Sequence, residues 1–148
     1  MLKKIARLAG IALMGSALFI SSASAMPASS DPFEPVNNSY TTTYQFSQNT
    51  WTSYIQYSND FDYMNFVSPK TGSQEVWLIP PYGKNYAIGI YEYGSGTPVA
   101  YKQSYGNYTT MTANLVAGHK YSVLVFPVDG SYDTEASYIF GFPLLFPF

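Results

Sequence analysis

From Thr50 onward the chain alternates β-branched or aromatic residues with polar ones in short runs, and turn residues interrupt each run. That period of two belongs to strands with one face in a core. It predicts strands over Thr50–Ser58, Asp62–Ser68, Gln74–Ile79, Tyr86–Tyr93, Val99–Ser104, Tyr108–Leu115, Lys120–Val128 and Ser137–Phe142. Pro69-Lys70-Thr71-Gly72 and Gly94-Ser95-Gly96 supply turn chemistry, and Pro80-Pro81 stops a strand because proline cannot donate to a ladder. Within Tyr86–Tyr93, Ile88 and Ile90 share one face while Tyr91 and Tyr93 share the other. The residues expected inside are Tyr63, Phe66, Ile88, Ile90, Leu115, Val123 and Val125. Eight short strands without a helical period predict an all-β domain over residues 50–148, an antiparallel sandwich or barrel.

The first 25 residues follow another pattern. Lys3, Lys4 and Arg7 precede the apolar run Leu8–Ile20, and Ala23-Ser24-Ala25 offers small residues for cleavage. This is the layout of a secretory signal peptide, and its apolar run is short for a bilayer span. The expected destination is extracellular or periplasmic, without stable membrane insertion. Residues 26–49, rich in Pro, Ser, Asn and Thr, read as an extended leader lying along the domain. Because it follows the signal directly, the module is expected to act alone or with a partner.

Removing the signal removes every arginine and leaves Lys70, Lys84, Lys102 and Lys120 against nine acidic residues. With no basic stripe, nucleic acid is not an expected partner. An exported chain without cysteine has no disulfides, so packing, hydrogen bonds or a metal must hold it together. All 15 tyrosines follow the signal. Tyr91, Tyr93, Tyr101, Tyr105 and Tyr108 fall on consecutive strands and turns, where exposed rings suit stacking on sugars or lying against an extended polypeptide.

Two acids open the second strand. On an extended backbone Asp60 and Asp62 share a face, so they are either solvated or share a cation that relieves their repulsion. Catalytic signals are poor. His119 follows Gly118 in an expected hairpin turn, and the chain has no Gly-x-Ser-x-Gly elbow, cysteine nucleophile or paired-histidine zinc motif. A two-carboxylate glycosidase drawing on Asp60, Asp62, Asp129, Asp133 or Glu135 stays open at this point, because sequence does not give the separation of the carboxyls. Asp129–Glu135 lacks the ligand register of an EF-hand loop.

Asn59-Asp60-Phe61-Asp62-Tyr63-Met64-Asn65-Phe66-Val67, the alternating Tyr86–Tyr93 run and Leu115-Val116-Ala117-Gly118-His119-Lys120-Tyr121-Ser122-Val123 resemble the bacterial pre-peptidase C-terminal domain. Glu34-Pro35-Val36-Asn37-Asn38-Ser39 is similar to the leader that precedes such domains, with Val36 inserted, and Ala87 stands where an aspartate is common. The resemblance spans Glu34 to Phe142 and implies a jelly-roll β-sandwich. It also implies kinship with the collagen-binding domains of clostridial collagenases, which bind calcium. The expected site joins Asp60 and Asp62 with Glu34, Asn37 and Asn38, oxygen ligands that suit calcium and not zinc or copper. The expected function is non-catalytic adhesion to an extracellular polysaccharide or protein. The alternative is a secreted hydrolase or peptidase-associated factor. A small outer-membrane barrel is a lesser alternative, drawn from the alternation Tyr138, Phe140, Phe142, Leu144, Phe146, Phe148, against which Pro143 and Pro147 speak.

Overall fold

The computed structural model describes residues 31–143 and Leu145. The expected signal segment and the Leu144 and Phe146–Phe148 part of the terminal alternation lie outside the described residues. The eight strands are β1 (Thr50–Ser53), β2 (Asp62–Val67), β3 (Gly72–Ile79), β4 (Tyr86–Glu92), β5 (Pro98–Gln103), β6 (Thr109–Leu115), β7 (Lys120–Pro127) and β8 (Tyr138–Gly141). They form two four-stranded sheets, β1-β8-β3-β6 and β2-β7-β4-β5, and every strand pair is antiparallel. Two separate sheets packed face to face make a sandwich. The barrel alternative falls, since a barrel needs one sheet closed on itself.

Alternation puts Val76 and Leu78, Ile88 and Ile90, Val123 and Val125, and Phe140 into the space between the sheets, all essentially without exposure. One expected core residue is placed differently. The inward phase of β2 is Asp62, Met64 and Phe66, so Tyr63 points outward and is half-buried. A strand of period two cannot place positions 63 and 66 on one face. The first strand also stops at Ser53, not Ser58. There the Gln56 amide donates to Asp60 Oδ2 (2.7 Å) and the Asp60 amide to the Tyr57 carbonyl, which turns the chain while Ile55 drops into the core.

The segment before β1 covers the open edge of β2. Gln45 bridges Asn65 in parallel, the Phe46 amide donates to the Asn65 carbonyl (2.8 Å) and the Asn65 amide to the Tyr44 carbonyl (2.9 Å). Asn65 Nδ2 donates to the Tyr40 carbonyl, and the Thr43 hydroxyl donates to the Tyr63 carbonyl. An edge capped in this way is not available for pairing with another chain. Phe46 then enters the core, with ring centroids 5.2 Å from Phe66 and 5.7 Å from Phe140. Further upstream a 3₁₀ turn, Val36–Asn38, buries Asn37 beside the start of β2.

Candidate metal centre and aromatic face

The phase that makes Met64 and Phe66 core residues also drives Asp62 inward, where it has no exposed surface. Its two oxygens are met from different parts of the chain. Tyr138 of β8 donates its hydroxyl to Oδ2 (2.6 Å), and Asn37 donates Nδ2 to Oδ1 (2.7 Å). The same Asn37 nitrogen lies 3.0 Å from Asp31 Oδ2, which also accepts the Ser53 hydroxyl of β1 (2.5 Å). Asp31 Oδ1 accepts the Phe33 amide and so fixes the turn that carries Glu34. Asn38 Nδ2 holds Glu34 Oε2 at 2.6 Å, and Asp60 lies against Glu34.

Carboxyl oxygens of Asp31, Glu34 and Asp62 lie within 4.8 Å of one another. Burial pushes the Asp62 carboxyl up to about 9, reinforced by the charges of Asp60, Asp31 and Glu34. Burial and then the charge of Asp60 push Glu34 up to about 7, and burial raises Asp60 as well. Three buried oxygens of this centre, Glu34 Oε1, Asn37 Oδ1 and Asp60 Oδ1, have no hydrogen-bond partner among the described residues. Leaving a buried polar atom unpaired costs about 1–3 kcal/mol. Crowded acids with orphaned oxygens have two remedies, protons or a cation. A hard divalent cation fits the donor set, which consists of oxygens alone.

All five acid and amide residues expected at a metal site are therefore brought together by the fold, with Asn38 at the exposed rim. Sequence reasoning missed Asp31, Ser53 and Tyr138. The available signal for Asp31 was its place before Pro32 and three residues from Glu34, which sets two acids on one turn. Ser53 and Tyr138 had none, because their roles depend on the pairing of β1 with β8.

The outer face of β2-β7-β4-β5 is built from rings. Register aligns Tyr63, Leu124, Gly89 and Tyr101 in one row across the four strands. Leu124 faces away from the core yet is only 8% exposed, so the rings cover it. Gly89 makes this possible: a Cβ there would meet Tyr91 Cε2 at 2.6 Å, because the Tyr91 ring lies back over the glycine. Phe126 stacks on Phe61 at 5.6 Å and approaches Tyr101 at 6.4 Å. From the N-terminal segment Tyr40 joins Tyr63 at 6.1 Å and Tyr93 at 5.5 Å. A cleft of about 360 Å³ opens between Tyr40, Tyr63 and Tyr91, with Leu124 as its floor.

The five tyrosines singled out from sequence are spread over this face and the neighbouring end of the molecule. Tyr91 lines the cleft, and Tyr93 carries the Lys120 ammonium 3.8 Å above its ring. Tyr101, Tyr105 and Tyr108 line a second, shallower depression of about 480 Å³ at the β5–β6 turn. Tyr40 and Tyr63 were not singled out, since one lies in a segment without period and the other was assigned to the wrong phase. His119 sits on an exposed turn with Nδ1 2.8 Å from Glu92 Oε1. Asp129 and Asp133 accept amides of their own loop, from Ser131 and from Glu135 and Ala136 respectively.

No family model matches the chain, and no curated protein sequence matches it. Among solved structures it is similar to the pre-peptidase C-terminal domain of collagenase from Bacillus anthracis. That likeness has 18% identity and a TM-score of 0.56, and covers 66% of this chain and 91% of the other. It is also similar to PliG, a periplasmic inhibitor of g-type lysozyme from Aeromonas hydrophila, with 12% identity, 64% and 86% coverage and a TM-score of 0.43. A third is the K1 cleaved adhesin domain of Lys-gingipain from Porphyromonas gingivalis W83, with 12% identity, 74% and 77% coverage and a TM-score of 0.42. The first likeness establishes the fold, an all-β sandwich of the pre-peptidase C-terminal type.

Proposed function

We propose that this protein is an exported, non-catalytic binding module that attaches to an extracellular polysaccharide or protein through the outer face of β2-β7-β4-β5. The observation that carries the reading is the ring-covered sheet face, on which Tyr40, Phe61, Tyr93 and Tyr101 are 38–48% exposed above a closed core. Aromatic rings fixed on a rigid sheet offer broad contact area at little entropic cost, whereas exposed rings scattered singly need no explanation. Non-catalytic action is supported by the places of the ionisable groups. His119 is engaged by Glu92 on a turn, Asp60 and Asp62 are buried, and Asp129 and Asp133 cap their own loop.

Calcium is part of the proposal. Asp31, Glu34, Asp60, Asp62 and Asn37 would hold it, and it would supply the positive charge that crowded carboxylates lack, joining the N-terminal segment to the sandwich. The test of the function is depletion of the purified protein from solution by insoluble polysaccharides and by fibrillar collagen, with a panel of chromogenic hydrolase substrates beside it. Retention without turnover is expected. Turnover without retention would replace this reading by the hydrolase.

A further inference from the structure

We infer that the cleft between Tyr40, Tyr63 and Tyr91 receives neutral pyranose units of a polysaccharide. This deepens the binding-module reading and rests on it. The cleft is defined by position as much as by composition. Gly89 gives the Tyr91 ring its seat, and the leader brings in Tyr40 because its carbonyl is held by Asn65 Nδ2. The rim carries Glu92 and Ser95 beside the phenol hydroxyls, so donors and acceptors of both kinds surround an apolar floor.

Three ligand classes compete, and the lining separates them. Among the described residues no lysine or arginine lines the cleft, and Glu92 is its single charged side chain, which opposes a uronate or sulfated chain. A polyproline-type peptide can accept from the phenols through its carbonyl oxygens, but its backbone has no N–H to donate to Glu92, whose carboxylate would stay unpaired beneath it. A neutral sugar ring matches both halves of the site. Its C–H face lies on a tyrosine ring, and its hydroxyls donate to Glu92 Oε2, the oxygen not held by His119, and exchange hydrogen bonds with the phenols and Ser95. The rings also continue beyond the cleft, to Tyr101 and Phe126 on the side away from Tyr93, whose ring is engaged by Lys120, which suits a chain of sugars over a single one.

The test is native affinity electrophoresis of the full protein in gels containing, in turn, a neutral glucan, a neutral galactomannan, a neutral xylan and a polygalacturonate, with titration of a proline decapeptide in parallel. Retardation by at least one neutral glycan and none by the polyuronate is expected. Affinity should fall at least tenfold in Tyr91→Ala and several-fold in Glu92→Gln and Gly89→Ala, while thermal melts show all three variants folded. Binding of the decapeptide in a Tyr91-dependent, Glu92-independent way, with no glycan retardation, would overturn the sugar and leave the binding module standing. Binding of neither class, or glycan retardation unchanged in Tyr91→Ala and Glu92→Gln, would overturn the assignment of this cleft; the outer face as a whole is then judged by depletion on insoluble polymers.

Discussion

Asp62 shows how one side chain serves two ends. Its strand phase makes it a core residue, and its chemistry makes the core unwelcome to it unless a proton or a cation arrives. The sign of the pH dependence follows. The unfolded carboxyl titrates near its usual value of about 4, whereas in the cation-free fold Asp62 is held up to about 9 and Glu34 up to about 7. Between those values the native state binds more protons than the unfolded state at these two groups, so their contribution to stability is fully present below about pH 4 and is lost as pH rises toward 9. In chelator, melting temperature should therefore decline from pH 5 to pH 8; a flat or rising profile would contradict the burial of these acids. Asp62→Asn should weaken that decline, since the amide is neutral at every pH. Ile90, without exposure between the sheets, offers the plain packing test: Ile90→Ala should cost about 2–5 kcal/mol in urea unfolding. A loss within about half a kcal/mol would place it at the surface.

At the level of elements, all eight strands were legible in sequence and in order, because most carry a period of two and Gly, Pro, Asn or Asp punctuates the chain between them. What was not legible depended on pairing. The segment before β1 has no period, so nothing announced that Phe46 would enter the core or that Asn65 would bracket the chain at Tyr40 and Tyr44. Likewise Glu34, Asn37, Asn38, Asp60 and Asp62 were readable as residues of one chemistry, but Asp31, Ser53 and Tyr138 reach them only through the β1–β8 pair and a turn. The leader is thus held at two places, by hydrogen bonds along β2 and by the acid centre. If calcium occupies that centre, it stabilises the folded state alone, by about 2.7 kcal/mol at a hundredfold excess over its dissociation constant. Calorimetric melts at pH 7.5 should shift upward with millimolar calcium against chelator, and the shift should vanish in Asp60→Asn/Asp62→Asn. An equal shift in that variant, or none in the parent, would remove the site.

On the scale of the whole molecule the two sheets have different outer faces. The β1-β8-β3-β6 sheet carries Trp77 lying over Gly141, among threonines and Glu75, while β2-β7-β4-β5 carries a row of rings over Leu124. The core between the sheets does not depend on those outer rings, so recognition and stability should separate. The most direct measurement is depletion by the retaining polymer of a variant with Tyr40→Ser, Tyr91→Ser and Tyr101→Ser together, read beside its melting temperature. Retention lost with melting lowered by only a few degrees is the expected result. Retention equal to that of the parent protein, in a variant that still melts cooperatively, would contradict a binding face on this sheet.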